Sequence, residues 1–399
     1  MDRIVMHIDV NNAFLSWTAL DLLEKGYKKD IRNVCAVIGG DEKSRHGIVL
    51  AKSTPAKKYG IVTAETLYQA RKKCPNLEIY PSNYPYYQKK SKELFELISK
   101  YTPDIEQFSI DECFIEYTYV YNLYGDPIKF AYKIKEEIKN TLGFTVNIGI
   151  ANNKLCAKMA SDFEKPDKVH TLFSNEIEEK MYPLDVGDLL WIGKKSKEKL
   201  NELGIRTIKD LAESDYTNLY YYFKNQTKIM IEHAKGIDNE PVVVQREEAK
   251  GMSKTTTLDR DVNNRSELYD YLNSISNDLG VSLRSINKYA STVAVILKDQ
   301  YFKTKTHQIK LSNPTNITSV IFDTSKKLLD ETWQGEAIRL IGIRLDGLTS
   351  VGMYQYSLFE DVKTKEKDTE LDSVMDKLKG KYGSKIINKA SLLPKNKKM

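Results

Sequence analysis

Three carboxylates carry the chemistry most easily read from this sequence. Asp9 stands at the exit of Ile4-Val5-Met6-His7-Ile8, a short apolar run with β-branched residues that reads as a buried strand. Asp111 and Glu112 are adjacent within Asp104–Tyr117, a stretch that reads as two short strands with the acidic pair between them. The end of a core strand is a poor place for an unpaired carboxylate, because removing water from the charge is costly. Setting Asp111 beside Glu112 adds like-charge repulsion, which a divalent cation relieves. Three hard oxygen ligands suit magnesium, which takes one or two carboxylates and completes its shell with phosphate oxygens and water. Two such ions close together activate an attacking hydroxyl and stabilise a leaving pyrophosphate. The ordinary alternative is that Asp9 caps the following helix and Asp111-Glu112 is a solvated turn. Singly, each ordinary reading is favoured; together, and with the element order below, a metal site is.

The elements that must position these residues follow from periodicity. Asn11-Asn12 starts a helix over Ala13–Lys25, with Phe14, Trp17, Leu20 and Leu23 at three-residue steps and Gly26 as its stop. Strands over Asn33–Ile38, Gly47–Ala51 and Leu77–Tyr80 alternate with short helices over Pro55–Tyr59 and Thr66–Lys73. A long helix over Tyr86–Tyr101, the acidic strand pair, a helix over Ile128–Leu142, a strand over Phe144–Ile150 and a helix over Lys154–Phe163 complete a block closed by Pro166. The order β–α–β–β–α–β predicts a split-βαβ sheet, with residues 15–73 as an insertion. Ser174–Ile237 is helical in pattern. Strands return at 241–246, 255–258, 292–298, 307–311 and 338–345, interleaved with helices near 266–286 and 317–331, which predicts a second α+β domain. The Lys-rich end holds one amphipathic stretch, Leu371–Leu378.

Composition narrows the class. With 399 residues the chain is long enough for several domains, and 41% hydrophobic and 29% charged residues are ordinary for a globular protein. No run approaches the roughly 18 apolar residues of a membrane span, and the N-terminus lacks a signal-peptide core, so the expected location is the cytoplasm. Cys35, Cys74, Cys113 and Cys156 are widely spaced, without a CxxC pair, which argues against a disulfide framework or structural zinc. A formal net charge of +6 is compatible with a polyanionic partner without requiring one.

Ile8-Asp9-Val10 with Phe14, the AKSTPAKKYG stretch of Ala51–Gly60, Ser109-Ile110-Asp111-Glu112, and the IGIANNKLCAKMASDFEKP stretch of Ile148–Pro166 resemble the Y-family translesion DNA polymerases, specifically the bacterial DNA polymerase IV and polymerase V-like group. The likeness spans roughly residues 3 to 360. It implies an α+β multidomain right-hand polymerase with a ferredoxin-like palm (1–12 and 74–166), small fingers (13–73), a helical thumb (167–240), an α+β little finger (241–350) and a tail (351–399). It implies template-directed, low-fidelity synthesis without proofreading, on primer–template DNA with deoxynucleoside triphosphates, by a monomer. Asp9, Asp111, Glu112 and the Val10 carbonyl would ligate two Mg2+ ions. Phe14 falls where the family places an aromatic that excludes a ribose 2′-OH, although its helical stripe alone makes it a core residue. Lys165 matches the family lysine on the incoming triphosphate, and the Asn153-Lys154 turn would offer helix N-terminal amides to phosphate. Thr54 and Lys57 occupy finger positions where the polymerase IV pattern has an aromatic and an arginine, a departure that points toward the polymerase V-like branch.

Further along, Trp191-Ile192-Gly193-Lys194-Lys195 resembles a helix-hairpin-helix, whose tight turn gives backbone amides to a DNA phosphate. Trp191 replaces the usual first glycine. Gly251, Ser253 and Thr255 lie on a strand of lysines, hydroxyls and free amides suited to phosphates, or to a merely solvated edge. Gln355-Tyr356-Ser357-Leu358-Phe359 resembles the sliding-clamp-binding peptide, with Gln355, Leu358 and Phe359 as its anchors; docking back on the little finger is the alternative. Two other classes remain open: another palm-fold enzyme such as a nucleotidyl cyclase, and a catalytically inactive DNA- and clamp-binding protein.

Overall fold

A computed structural model describes residues 2–40, 47–245, 248–350, 362–383 and 387. These fall into two compact units, divided near residue 246.

In the first unit, β1 (Val5–Val10) is followed by β2 (Ala36–Gly39), β3 (Val49–Lys52) and β4 (Glu78–Tyr80), which form a small sheet of their own although β4 falls in the range expected for the palm, then by β5 (Ile105–Gln107), β6 (Glu112–Glu116), β7 (Val146–Ala151) and β8 (Val169–Leu172). The main sheet has the order β5-β6-β1-β7-β8, so its first four members form the split-βαβ arrangement the sequence predicts. β1 is antiparallel to both β6 and β7. β8 was not foreseen. Sequence reading ends the palm at Pro166, yet Val169–Leu172 pairs in parallel with β7, because only tertiary pairing makes this short polar stretch a strand.

Alternation along β1 sorts the two faces of that sheet. Ile4, Met6, Ile8 and Val10 join a core with the helices Tyr84–Ser99 and Pro127–Leu142. The second helix is well punctuated: Asp126 accepts from Lys129 N, Pro127 is at its first turn, and Gly143 ends it at φ 79°. Val5 points the other way, into a core made with helix Lys154–Asp162 and the thumb residues Leu200, Ile208, Leu211 and Leu219. His7 and Asp9 share that side. The strands of the small sheet, in the order β3-β2-β4, enclose a small core of Val37, Val49, Ile61 and Leu67. Helix Ala13–Glu24 serves both parts: Trp17 enters the palm core, while Leu15 and Ala19 pack with Ile31 and Ile38 of the fingers.

The second unit contains β9 (Gly251–Val262), β10 (Tyr289–Asp299), β11 (Thr304–Thr315) and β12 (Ile338–Thr349), in the order β11-β10-β12-β9 with antiparallel neighbours. Helices Arg265–Ser285 and Thr318–Thr332 supply Leu272, Leu279, Ile321 and Leu328 to its core. No strand forms over residues 241–245, contrary to expectation; Val243 N is instead held by the Glu106 carboxylate at 2.8 Å. The C-terminal helix is longer than expected, Val362–Tyr382, and is fastened by Arg284 to Asp372 (3.0 Å) and Asp376 (2.6 Å).

Candidate active site

The register of β1 against β6 sets Asp9 opposite Glu112, and Val10 N donates to the Asp111 carbonyl at 3.0 Å. The three carboxylates predicted from sequence therefore meet at one end of the central strands. Each is held by a different neighbour. Asp111 occupies the turn before β6, where Ser109 Oγ donates to its carboxylate and accepts from its backbone N at 3.2 Å. Burial, then the Asp9 and Glu112 charges, push the Asp111 carboxyl above the ordinary range despite the Ser109 bond. Burial works the same way on Glu112, but His7 and Lys158 outweigh it and hold that carboxyl down at about 2. Lys158 Nζ bonds Glu112 Oε2, which His7 Nε2 also meets at 3.1 Å. Asp9 is paired with Lys165, whose ammonium also reaches Asp162 at 2.8 Å.

The loop carrying Lys165 is pinned by one side chain. Asn147 on β7 is fully buried; its Nδ2 donates to the Ser161 carbonyl (3.0 Å) and the Glu164 carbonyl (2.7 Å), while its Oδ1 accepts from Lys168 N at 3.2 Å. Asn11 extends the lattice, donating to Asn147 Oδ1 at 3.0 Å and accepting from Asp167 N at 2.9 Å. A buried, fully bonded amide of this kind fixes geometry rather than merely filling space.

Two lysines thus stand among three carboxylates. The side chains as placed are not closed around a point: among the described residues no group of three or more His, Cys, Asp or Glu could hold an ion as it stands. The donor set nevertheless fits a hard divalent cation. All three are carboxylates, and against burial and two charged neighbours Asp111 has the Ser109 hydroxyl and its own backbone amide but no cation.

The other expected residues are distributed around this point. Phe14 is half-buried, stacked on Tyr87 at 4.8 Å and 10° and edge-on to Tyr84 at 5.7 Å. Thr54 and Lys57 are exposed on helix Thr54–Lys58, which Ser53 caps, and neither bonds to the carboxylates. Trp191 adopts φ 74°, the left-handed conformation that a glycine takes without strain, and its side chain is 70% exposed. Ile192 and Gly193 then lead into helix Lys194–Glu202, whose N-terminal amides no side chain caps, with Lys194 and Lys195 exposed beside them. Gly251, Ser253 and Thr255 lie on β9, an edge strand of the second unit. Gln355, Leu358 and Phe359 lie outside the described residues.

The Asn153-Lys154 turn corrects an expectation. Its helix N-terminus is not open to phosphate: Leu155 N donates to Asp238 at 3.1 Å, Cys156 N to Asn153 at 2.8 Å, and Lys154 pairs with Glu106 at 2.8 Å. A thumb carboxylate takes the place an anion would need.

Residues 8–162 match the model of the impB/mucB/samB family, and residues 249–358 match that of its C-terminal domain. The chain is 47% identical over 399 residues to the DNA polymerase IV of Clostridium acetobutylicum, covering all of both chains. The chain belongs to the Y-family of DNA polymerases. A second relative, the DNA polymerase IV of Acetivibrio thermocellus, is 33% identical over 98% of each chain. Among solved structures, a Y-family DNA polymerase chimera superposes with a TM-score of 0.74 at 24% identity, over 86% of this chain and 99% of that one, a likeness of fold. Both Y-family relatives carry the name DNA polymerase IV, whereas Thr54 and Lys57 pointed toward the polymerase V-like branch.

Sequence reasoning missed His7, Lys158, Ser161 and Asn147 in this Y-family site. A signal existed for two groups of them. His7 lies two residues before Asp9 on a strand, hence on the same face. Lys158 and Ser161 are three apart on one helix, hence on one side of it.

Proposed function

We infer that this chain is a DNA-directed DNA polymerase that extends primers across damaged template bases with low fidelity and without proofreading. The observation that carries the reading is the meeting of Asp9, Asp111 and Glu112 at the strand ends, with Lys165 beside them, in a chain of this family. Y-family membership brings dependence on a divalent cation. We assign Asp9, Asp111, Glu112 and the Val10 carbonyl to two Mg2+ ions, which when bound supply an activated hydroxyl and charge neutralisation for the departing pyrophosphate. Lys165 is freed from Asp9 to meet the incoming triphosphate, and Thr54 and Lys57 reach it from the fingers. Phe14 presents the face not stacked on Tyr87 to the sugar.

DNA is held without base reading. The uncapped amides and lysines of Ile192–Lys195 suit one backbone phosphate, and the edge of β9 at Gly251, Ser253 and Thr255 suits others. Gln355, Leu358 and Phe359 are proposed to bind the sliding clamp. A cytoplasmic monomer fits this reading, and among the described residues no helix is long and apolar enough to cross a membrane. The decisive test is primer extension by Asp111→Asn. Extension should vanish while DNA affinity stays within a few-fold, because the lost charge serves the cations rather than the duplex. Near-normal turnover in Mg2+ would overturn the assignment.

A further inference from the structure

His7 is a buried histidine that the proposed reaction does not use. It is 1% exposed, packed against the Phe114 ring at 4.7 Å, and bonded at both nitrogens. Nδ1 lies 2.8 Å from Ser161 Oγ, and Nε2 lies 3.1 Å from Glu112 Oε2. The Ser161 hydroxyl has a single proton and two acceptors in reach, His7 Nδ1 and the Lys158 carbonyl at 2.7 Å.

With Glu112 ionised beside the Lys158 ammonium, only one distribution of protons satisfies the group and leaves the imidazole neutral. If Ser161 donates to the Lys158 carbonyl, Nδ1 must carry a proton to meet the serine oxygen. Nε2 must then carry one as well, or its lone pair would face the carboxylate. That leaves an imidazolium deep in the sheet, which desolvation opposes. If Ser161 donates to Nδ1, the ring is neutral and Nε2–H donates to Glu112. The second arrangement uses every polar atom. The serine sets the tautomer and the imidazole passes the constraint to the carboxylate.

The consequence lies in which oxygen is held. His7 and Lys158 both bond Oε2, and among the described residues Oε1 of Glu112 has no partner. We propose that Ser161 and His7 are positioning residues that anchor Glu112 by Oε2 and thereby present Oε1 as a one-oxygen ligand to the divalent cation. This rests on the metal-site reading above and adds to it a cause for the orientation of one ligand. Outer residues that orient a ligand in this way are worth about 10–100-fold in metal affinity.

The test is Mn2+ binding to the full-length protein on primer–template DNA, read as the loss of the free-ion electron paramagnetic resonance signal, with the melting temperature measured alongside. His7→Phe keeps the ring packing on Phe114 and removes the donor; it should weaken Mn2+ binding by about 10-fold or more. His7→Gln, whose amide nitrogen can replace the Nε2 donor, should bind Mn2+ within about 3-fold of wild type, a rescue that a merely structural role does not give. Asp111→Asn, run beside them, should lose binding outright. If Asp111→Asn loses Mn2+ and a folded His7→Phe does not, the positioning role is overturned and the metal site stands. If Asp111→Asn also retains Mn2+, both fall. Should His7→Phe fail to fold, Ser161→Ala decides: freed from its tautomer constraint, the imidazole should hold Glu112 less well and Mn2+ affinity should fall several-fold, and unchanged affinity overturns the proposal.

Discussion

Substituting Gly149 by alanine should lower both stability and turnover, because this glycine is where a helix rests on the catalytic sheet. Gly149 pairs with His7 in the register of β7 against β1. A Cβ on it would overlap the Ala157 carbonyl oxygen and stand 2.5 Å from Ser161 N and 3.0 Å from the Ala160 Cβ. The two nearest obstacles are backbone, so no rotamer change makes room, and helix Lys154–Asp162 must lift as a body. Overpacking of an interior costs about 1–3 kcal/mol, and immovable backbone puts this case at the upper end. For a unit of this size each kcal/mol lowers the melting temperature by about 2–4 °C, so a loss of roughly 5–12 °C is expected. The lifted helix takes Lys158 and Ser161 from Glu112 and His7, and loosens the bonds of Asn147 to the Ser161 and Glu164 carbonyls that fix Lys165. A misplacement of about 1 Å near reacting groups can cost on the order of 100-fold in rate. Single-nucleotide insertion at 25 °C, with saturating Mg2+ and nucleotide, separates this from unfolding. A matched control is Gly380→Ala on helix Val362–Tyr382, where an added Cβ meets no atom of the described residues within 4 Å beyond its own helix backbone, and a gain of about 0.5–1 kcal/mol is expected. Wild-type melting and turnover in Gly149→Ala would refute the close-approach argument. A lowered melting temperature with full turnover would show that the helix moves without disturbing the site.

Phe14→Ala should raise ribonucleotide insertion far more than it changes deoxynucleotide insertion; unchanged discrimination between the two sugars would confine Phe14 to its stack with Tyr87. Replacing Leu358 and Phe359 by alanine should leave unassisted extension intact and remove stimulation by a loaded clamp, since burying two such side chains contributes roughly 3–6 kcal/mol gross. Loss of basal activity in that double variant would count against a clamp-binding role. Glu176 carries a pH signature away from the carboxylate site. Burial raises its pKa, but Lys180, the Phe173 amide and Thr171 outweigh burial and depress it. Its contribution is therefore present above the unfolded carboxyl pKa and is lost as pH falls through the depressed folded value. Glu176→Gln should lower the melting temperature at pH 7 and reduce its acid sensitivity below about pH 4.5; parallel pH profiles for variant and wild type would contradict this.

What the sequence disclosed and what it hid divide along one physical line. The apolar run of Ile4–Ile8 and the helix read over Ile128–Leu142 are local signals, and the structure places a strand and a helix within a residue or two of each. The three carboxylates were legible as a group, because charge at the ends of apolar strands is anomalous when Asp9 and Asp111-Glu112 are taken together, and the strand register does set Asp9 opposite Glu112. β8 was not, since its four residues become a strand only by pairing with β7. The Lys154 helix misled for a related reason. Locally it offers amides and a lysine to phosphate, yet Asp238 arrives from 83 residues away to take the amide of Leu155. Trp191 is a sharper case: its φ of 74° is one that residue type would not suggest, and only the glycine that the helix-hairpin-helix pattern has at this place points to it.

Phe14 carries two readings that compete in the sequence, and its ring contacts are compatible with both. Its three-residue step to Trp17 argues for a core residue, and its place five residues after Asp9 argues for a wall beneath the sugar. The ring is half-buried, with Tyr87 parallel to it at 4.8 Å, Tyr84 against it edge-on and Trp17 at 6.3 Å. An aromatic wall that must reject one extra hydroxyl has to resist displacement, because a ring free to rotate would yield to the larger sugar. Stacking on Tyr87 supplies that resistance, with aromatic pairs contributing about 0.5–1.5 kcal/mol beyond their buried area. Tyr87, on helix Tyr84–Ser99, is itself fully buried and held at 2.6 Å by Thr18 Oγ1, one turn after Phe14 on helix Ala13–Glu24. The stripe that made Phe14 look like core is therefore what would make it effective as a gate.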